Sequence, residues 1–323
     1  MRKFIAVLTV FILLTTACIL TGCNNTATER DDKISIVTTI FPEYDWVKNI
    51  LGDKADSAEL IMLLDNGVDL HSYQPSVDDI VKISNCDLFI YVGGESDSWV
   101  EDALKNPKNP DRKVINLLDV LGDAVKEEEH IEGMEEHEHE DDHDDEKDEH
   151  VWLSICNAKI ICNAIAEQLF LIDPDNKDVY AKNLHSYIES LSALDKDYRK
   201  AVDEGTRKTL LFGDRFPFRY LVSDYGLDYF AAFSGCSAET EASFETVTFL
   251  AGKVDELGLP YVLTTENAKH QIAQTIIQST KSKNQKILTM DSMQSTTYAD
   301  VKKGTTYISI MQKNLEALKT ALR

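Results

Sequence analysis

The sequence lacks the cysteine pattern of a structural zinc site. Its six cysteines include no Cys-x-x-Cys pair, which argues against a cysteine cage around zinc. An oxidising compartment would permit disulfides, and a Cys156–Cys162 bond is left open. We otherwise expect mostly buried, small apolar side chains at the four cysteines beyond Cys23: Cys86, Cys156, Cys162 and Cys236.

Catalytic motifs and basic charge are also scarce. The chain contains no Gly-x-Ser-x-Gly motif, and no cysteine lies in a recognisable catalytic context. Lys and Arg number 33 against 56 Asp and Glu, which gives a formal net charge of −23. An acidic surface disfavours nucleic acid and favours cationic ligands. We therefore predict a protein that is not an enzyme, does not bind nucleic acid and binds a cation.

One long apolar run is present, at residues 4–20, directly after Arg2 and Lys3. Its length of about 17 residues is typical of a secretory signal peptide and short for a membrane span. It ends in Leu20-Thr21-Gly22-Cys23, which resembles a bacterial lipobox. This predicts cleavage before Cys23 and a lipid on its sulfur that anchors the chain to the outside of the cell membrane. An ordinary signal peptide with a chance cysteine is the alternative. We expect no other membrane-spanning run.

Beyond this leader, segments with strand character alternate with segments of helical periodicity. The predicted strands are residues 34–40, 58–64, 87–92, 114–115, 209–212, 229–233, 261–265 and 287–290. The predicted helices are residues 42–51, 77–86, 99–104, 151–170, 174–204, 216–225, 244–257 and 268–279, with a last one at the C-terminus. This alternation predicts an α/β fold of mainly parallel sheets flanked by helices.

The alternating pattern occurs twice, which predicts two lobes. We expect a signal peptide at 1–22, a lipidated tether at 23–32, an N-terminal lobe at 33–172 and a C-terminal lobe at 205–323. Between the lobes, residues 173–204 predict one helix of about 30 residues and about 45 Å, long enough to join them rigidly. Ligands of open α/β sheets bind beyond the carboxyl ends of the strands, so we expect a ligand cleft between the lobes.

An acidic, histidine-rich segment interrupts the N-terminal lobe at residues 127–149. Its composition predicts a disordered loop, because it offers little apolar surface to bury. We expect its deletion to leave any tight site intact. Flexible imidazoles among carboxylates can collect zinc weakly, although a solvated charge run without specific binding is the plainer alternative. The candidate auxiliary ligands are His130, His137, His139 and His143.

Three other residues have the chemistry of metal ligands. His71 follows a predicted strand, His150 lies where the acidic segment meets the next helix, and Asp291 ends the last predicted strand. Imidazole and carboxylate groups at such positions can coordinate a metal. Taken singly, each has a plainer interpretation: a solvated loop histidine, the last histidine of an acidic run, and a helix-capping carboxylate.

The segments around these residues resemble motifs of the binding lipoproteins of zinc and manganese ABC importers. Residues 66–76 (Asn-Gly-Val-Asp-Leu-His-Ser-Tyr-Gln-Pro-Ser) resemble Pro-His-x-Tyr/Phe-x-x-x-Pro-Ser. His150-Val151-Trp152-Leu153 resembles His-x-Trp-Leu-Asp-Pro, and an acidic His-rich loop precedes that motif in zinc-specific members. Residues 218–227 resemble Phe-x-Tyr-Leu…Tyr-Gly-Leu, and residues 235–243 resemble Gly-Ile-Ser-x-Glu-x-Glu-Pro-Ser. The resemblance extends over essentially the whole mature chain.

The resemblance implies an extracytoplasmic solute-binding protein that captures a divalent transition metal and delivers it to an ABC permease. It implies two lobes joined by a backbone helix, with metal ligands at His71, His150 and Asp291 between them. Two imidazoles and a carboxylate suit Zn²⁺, the expected cargo, and also Mn²⁺, better than calcium. We expect the protein to be a monomer.

Two positions depart from the family's pattern. Arg215 stands where the family carries a third ligand, His or Glu, and a guanidinium cannot coordinate. In the interpretation we favour, Glu241 or Asp214 replaces that ligand and Arg215 pairs with the other. Alternatively, water completes a three-ligand site, or the metal site is lost and Arg215 binds an anion. Ser154-Ile155 replaces the family's Asp-Pro, which leaves the support of His150 open.

Other functions also fit parts of the sequence. An adhesin or structural lipoprotein would share the lipid anchor, and a relative with a degenerate site would bind another ligand. An extracellular zinc hydrolase would need an open coordination position on the metal. Metal analysis of the purified protein separates a metal carrier from an adhesin.

Overall fold

Eight short parallel strands form two sheets in the part of the chain that the structure describes: residues 33–134, 146–237, 241–266 and 269–323. The structure is a computed structural model. The strand order is β2-β1-β3-β4 in the first sheet and β6-β5-β7-β8 in the second. The strands are β1 (Ser35–Thr38), β2 (Glu59–Met62), β3 (Leu88–Tyr91), β4 (Lys113–Asn116), β5 (Thr209–Phe216), β6 (Asp228–Ser234), β7 (Tyr261–Thr264) and β8 (Lys286–Thr289).

Helices connect the strands and cover the sheets. They are α1 (Phe41–Leu51), α2 (Val77–Asn85), α3 (Val100–Leu104), α4 (Leu117–Leu121), α5 (Ile155–Ile172), α6 (Lys177–Glu204), α7 (Arg219–Tyr225), α8 (Phe244–Leu257), α9 (Gln271–Ser279), α10 (Tyr298–Lys302) and α11 (Tyr307–Ala321). Helix α6 is the long helix between the lobes. The predicted α/β fold, with two parallel sheets and a backbone helix, is confirmed.

The central strands are short and apolar because both faces of each sheet are covered. In β1, Val37 pairs with Ile61 of β2 on one side and with Phe89 of β3 on the other. Both Val37 and Phe89 are fully buried. Such near-continuous apolar runs are typical of parallel sheets between helix layers. The polar residues that follow these strands are then free to line the cleft.

Strand β5 is longer than the sequence predicts. The predicted strand ended at Phe212, but β5 continues past an irregular register there and pairs Phe216 with Ser234 of β6. The helix predicted from Phe216 therefore starts at Arg219 instead. Pro217 explains the shift, because the residue before a proline is held in an extended conformation.

The long helix α6 packs against α1, α5 and α11, which joins the two lobes through one core. Large aromatic side chains fill this core, and their polar atoms are paired. The Tyr198 hydroxyl donates to the Met311 carbonyl at 2.6 Å, and the Tyr307 hydroxyl donates to the Trp152 carbonyl at 2.7 Å. Buried hydroxyls without such partners would be costly. The lobes thus share a rigid base below the cleft.

Helix α5 is long and apolar enough to match a membrane span, so the expectation of a single such run is wrong. Eight of its 18 residues are nevertheless buried in the protein core, where it packs against α6. The helix also carries Cys156 and Cys162, and neither forms a disulfide. Six residues on a helix rotate the side chain by about 240°, which points the two thiols to different faces.

The acidic segment is more ordered at both ends than predicted. Glu127 forms an antiparallel bridge with Lys147, and the Asp148 amide donates to the Lys126 carbonyl at 2.8 Å. Met134 is buried. A disordered loop spanning all of 127–149 is therefore wrong for residues 127–134 and 146–149, because backbone pairing and apolar packing hold them. Residues 135–145 lie outside the described part.

The start of this segment packs on the C-terminal lobe. A Cβ on Gly133 would overlap the ring of Phe249 in α8, so only glycine permits this approach. Tyr220 of α7 holds both ends of the segment: its hydroxyl accepts from the Lys126 amide at 3.0 Å and donates to the Asp148 carbonyl at 2.8 Å. The segment therefore connects the two lobes beside the cleft.

Candidate metal site

His71 lies in a short 3-10 turn, Leu70–Ser72, that follows β2. Asp69 begins this turn, and its carboxylate accepts from the His71 amide at 3.1 Å. The His71 Nδ1 lies 2.7 Å from Ser96 Oγ and 3.5 Å from Glu149 Oε2. The ring is therefore held through Nδ1, which leaves Nε2 for another partner.

His150 is fully buried and immediately precedes the 3-10 turn Val151–Leu153. One Asp148 oxygen accepts from the His150 amide at 2.8 Å and from its Nδ1 at 3.1 Å. Burial is the largest influence on this ring and opposes its protonation, but the charge and hydrogen bond of Asp148, together with the charges of Glu149 and Glu128, raise the pKa of His150. A carboxylate on Nδ1 assigns the proton to that nitrogen, so Nε2 of the neutral ring carries the lone pair.

The two rings meet at these Nε2 atoms, which are 3.3 Å apart. Two imidazoles on a tetrahedral zinc, with Zn–N bonds of about 2.0–2.1 Å, would place their nitrogens about 3.3–3.4 Å apart. The observed spacing thus matches two ligands of one metal ion. Burial, followed by the charge of His150, lowers the pKa of His71 to about 4, so this ring is neutral at physiological pH.

Glu149 lies on the Nδ1 side of the His71 ring. Its Oε1 accepts from the Ser96 amide at 2.9 Å, and in the described residues its Oε2 has no hydrogen-bond partner. Burial raises the pKa of Glu149. Gly94, at φ +84°, makes room for this carboxylate, because a Cβ there would collide with it. Glu149 and Asp148 thus hold the two candidate ligands from adjacent positions.

A third metal-binding atom lies beside the two rings. The Cys236 Sγ and one nitrogen from each of His71 and His150 lie within 4.8 Å of one another. Among the described residues, these three side chains form a group whose ligand atoms lie close enough together to hold one metal ion. The preceding Gly235 allows close packing, since a Cβ there would lie 3.0 Å from the His150 ring. Sequence reasoning treated Cys236 as an apolar filler.

Asp291 follows β8, as predicted, but does not join that group. Its Oδ1 accepts from the Met293 amide at 2.8 Å, as a capping carboxylate would. Burial, followed by the charge of Glu266, raises the pKa of Asp291 to about 6. A metal cation near these two acidic groups would be attracted to them. Coordination by Asp291 stays a prediction.

Arg215 pairs with neither of the carboxylates that were expected. Its Nη2 donates to Asp69 Oδ2 at 2.7 Å, and its Nη1 donates to the Ser237 carbonyl at 3.3 Å. Asp214 is engaged elsewhere, since one oxygen accepts from the Thr265 amide at 2.8 Å and hydroxyl at 2.6 Å. Glu241 is exposed and outside the group of three. The proposed pairing of Arg215 with Asp214 or Glu241 is therefore wrong.

The cleft between the lobes is nearly closed. It contains a cavity of about 30 Å³, lined by Asp69 from the N-terminal lobe and by Arg215, Gly235, Glu266 and Ser292 from the other lobe. A volume of this size admits a water molecule or a single ion but not an organic substrate. The cavity therefore fits a small inorganic ligand.

Ser154 replaces the family's aspartate without loss of the helix cap. Its hydroxyl accepts from the Asn157 amide at 3.0 Å and donates to Asp224 of α7 at 2.6 Å. The support of His150 comes from Asp148 instead. Two side chains therefore divide the roles: Ser154 caps the helix, and Asp148 supports the His150 ring.

Of the four candidate auxiliary histidines, the structure describes His130, which is exposed. His137, His139 and His143 lie outside the described residues, as does Cys23. His139 and His143 stand in a His-Glu-x-x-His spacing. That spacing indicates a hydrolase only on an amphipathic helix, and this acidic run has no apolar face to form one.

Two imidazoles thus converge at the interface between the lobes. Comparison with known proteins identifies the family to which the chain belongs. The sequence family described as zinc-uptake complex component A, periplasmic (ZnuA), matches residues 36–321. The chain belongs to this family. The resemblance to metal-binding proteins of zinc importers, inferred from motifs alone, is thereby confirmed.

Two relatives illustrate the similarity to this zinc-uptake family. The zinc-binding lipoprotein AdcA of Streptococcus pneumoniae is 33% identical over 317 residues, which cover 95% of this chain and 60% of AdcA. The chain thus spans about 60% of the length of that relative. The high-affinity zinc uptake system protein ZnuA of Bacillus subtilis is 33% identical over 316 residues, covering 96% of this chain and 94% of the relative.

A solved structure has the same fold. The Zn(II)-bound ZnuA-like domain of Streptococcus pneumoniae AdcA superposes with a TM-score of 0.70 at 31% sequence identity. The match covers 90% of this chain and 99% of that domain. The similarity extends through both lobes, so it includes the interface at which His71 and His150 meet.

Proposed function

We propose that this protein captures Zn²⁺ between His71 and His150 and delivers it to the permease of an ABC importer. The observation that carries the proposal is the 3.3 Å separation of the two Nε2 atoms. At that distance the two nitrogens can share one proton in the metal-free protein, and a metal ion that takes the place of this proton is bound by both lone pairs. Membership of the zinc-uptake family supports the same cargo.

The proposed role is binding and transfer rather than catalysis. The cavity of about 30 Å³ in the cleft, which borders Asp69 and Gly235 near the two histidines, is too small for an organic substrate. The family description names a component of an uptake complex, which implies a membrane permease as partner. The pneumococcal and Bacillus relatives are described as zinc proteins, so Zn²⁺ is proposed ahead of Mn²⁺.

We also propose an extracytoplasmic location with a lipid on Cys23 and a monomeric state. The relative AdcA is called a lipoprotein, and the family is called periplasmic. The remaining ligand is proposed to be Asp291, whose carboxylate borders the same interface. The histidines of the acidic segment are proposed as weak, auxiliary zinc ligands, and we keep Glu241 as the weaker candidate because its side chain is exposed.

Replacing either central histidine tests the proposal. We expect His71→Ala and His150→Ala each to weaken zinc affinity at least tenfold, because each removes one coordinating nitrogen. This corresponds to at least about 1.4 kcal/mol. Affinity is measured by competition with a chromophoric chelator.

His185→Ala is the matched control. That side chain lies on α6 and is 76% exposed, so its loss should leave the affinity unchanged. Zinc accumulation by cells that carry each variant reports delivery to the importer. Wild-type affinity in both His71→Ala and His150→Ala would refute the assignment.

A further inference from the structure

The metal site needs a ligand that the two histidines do not supply. Zinc in proteins is usually four-coordinate, and His71 and His150 fill two positions. Arg215, on β5 at the same interface, cannot coordinate and is committed to Asp69 and to the Ser237 carbonyl. Even with Asp291 as a ligand, one coordination position is left for another side chain.

Cys236 is placed to provide it. A tetrahedral zinc with Zn–S of about 2.3 Å and Zn–N of about 2.0–2.1 Å would separate sulfur from nitrogen by about 3.6 Å. The Cys236 Sγ is already within 4.8 Å of a nitrogen of each ring. A movement of about 1 Å, within the range of one side-chain rotation, completes the geometry.

Contacts on both sides of Cys236 hold its backbone at the site. The Cys236 amide donates to Glu128 Oε1 at 3.0 Å, and the next carbonyl, of Ser237, accepts from Arg215 at 3.3 Å. Arg215 also bonds Asp69, two residues before His71. Arg215 thus ties the cysteine-bearing turn to the histidine-bearing turn, which makes it a positioning residue.

The charges around the thiol favour a bound cation. The carboxylates of Glu128, Asp148 and Glu149 lie near Cys236 and make its surroundings negative. A divalent ion is attracted by these carboxylates and binds the sulfur as thiolate. The S–H bond breaks, a metal–sulfur bond forms, and the proton passes to solvent.

We propose that Cys236 is a ligand of the transported metal and that the site therefore selects thiophilic divalent cations, zinc over manganese. The proposal rests on the proposed zinc-binding function and specifies its chemistry. Thiolate favours zinc and related soft ions, whereas manganese prefers carboxylate, carbonyl and water oxygens. The pattern is a His₂Cys site, with Asp291 or water in the remaining position.

Cobalt substitution of the full mature protein tests the proposal. Co²⁺ bound to a thiolate absorbs in the near ultraviolet through sulfur-to-metal charge transfer. We expect this band in the wild type and its loss in Cys236→Ser, together with at least a tenfold loss of zinc affinity and little change for manganese. Cys156→Ser, a change of the half-buried thiol on α5, is the control and should retain both the band and the affinity.

A second measurement needs no variant and so does not depend on folding of Cys236→Ser. Alkylation of the wild type, read by peptide mass spectrometry, should modify Cys236 more slowly when zinc is bound. Tight zinc binding without a charge-transfer band or protection of Cys236 would overturn the cysteine ligand and leave the proposed function standing. Absence of tight zinc binding in the wild type would overturn both.

Discussion

At the scale of single residues, two adjacent carboxylates stand behind the two histidines of the candidate site. Asp148 and Glu149 are adjacent in the chain, yet they serve different histidines, His150 and His71. Asp148 accepts a hydrogen bond from the Nδ1 of His150, whereas Glu149 lies 3.5 Å from the Nδ1 of His71, which Ser96 Oγ contacts at 2.7 Å. These contacts direct both Nε2 atoms toward the shared position. Such partners fix the ring orientation and increase the basicity of the ligand.

We predict that Asp148→Ala lowers zinc affinity by roughly 10–100-fold, the usual effect of removing the partner of a metal-bound histidine. The His150 ring would lose its hydrogen bond and its fixed tautomer. Asp148→Asn keeps an acceptor oxygen of the same shape, so it should lose less. Chelator competition on both variants measures the difference. Equal losses in the two would mean that the charge, and not ring orientation, is what matters.

Sequence reasoning found His71 and His150 but not the residues that hold them. The two histidines stand in recognisable motifs, whereas Asp148 and Glu149 are hidden among many similar acidic residues of one run. Cys236 had a readable signal, a thiol where the motif that residues 235–243 resemble has isoleucine. Its significance could not be read without the distance to the two rings, which depends on how β6 lies against the N-terminal lobe.

At the scale of elements, the acidic segment begins and ends as a small paired hairpin. The Glu128 amide donates to the Glu146 carbonyl at 2.7 Å, beside the Glu127–Lys147 bridge. Residues on both arms then reach the site: Glu128 contacts the Cys236 amide, and Asp148 contacts His150. The arms are thus part of the metal site, whatever the intervening residues do.

Two deletions separate the arms from the middle of the segment. Replacing residues 135–145 by a short Gly-Ser linker should keep the tight zinc site, because every contact described above lies outside that range. Contrary to the expectation from sequence, deleting 127–149 should weaken the tight site at least tenfold, since Asp148 and Glu149, which contact His150 and His71, are lost. Calorimetric titration of both variants reads the tight and weak sites separately. Loss of tight binding in the shorter deletion would make the intervening residues the main binder.

The elements themselves were largely predictable, with errors where two signals compete. Periodicity located most strands and helices because apolar runs and helix caps agree there. Around Phe216 they conflict: the i,i+4 spacing of Phe216 and Tyr220 suits a helix face, while Pro217 keeps the preceding residue in β5. The short helices α4 and α10 have five residues each, too few for a periodic pattern to identify.

At the scale of the whole molecule, two of the hydrogen bonds that cross the cleft bear directly on the spacing of the lobes. Arg215 of β5 bonds Asp69 of the N-terminal lobe, and the Trp152 ring donates to the Ser292 carbonyl at 2.8 Å. Trp152 is fully buried, and it lies two residues after His150, while Ser292 follows Asp291. The predicted ligands are therefore next to the contacts that set the distance between lobes.

Removing Arg215 should loosen this interface. In the chelator-treated protein, we expect Arg215→Ala to speed amide hydrogen exchange around Asp69 and Ser237, because both lose a bond to the guanidinium. Exchange in the buried strands β1 and β3 should not change. Arg199→Ala is the control, since it removes an ion pair to Asp195 within α6 that does not cross the cleft. Unchanged exchange in Arg215→Ala would mean that other contacts keep the lobes together.

The Arg215–Asp69 bond uses no atom of a candidate metal ligand, so metal binding does not require it to break. In the proposed carrier, the full and the empty form would then share this contact between the lobes. An importer that sensed only the spacing of the lobes would spend ATP on empty carriers. Discrimination would have to come from a more local signal, such as the fixed or free turn that bears Cys236. The amount of ATP hydrolysed per metal ion transported would then depend on a few residues at the cleft.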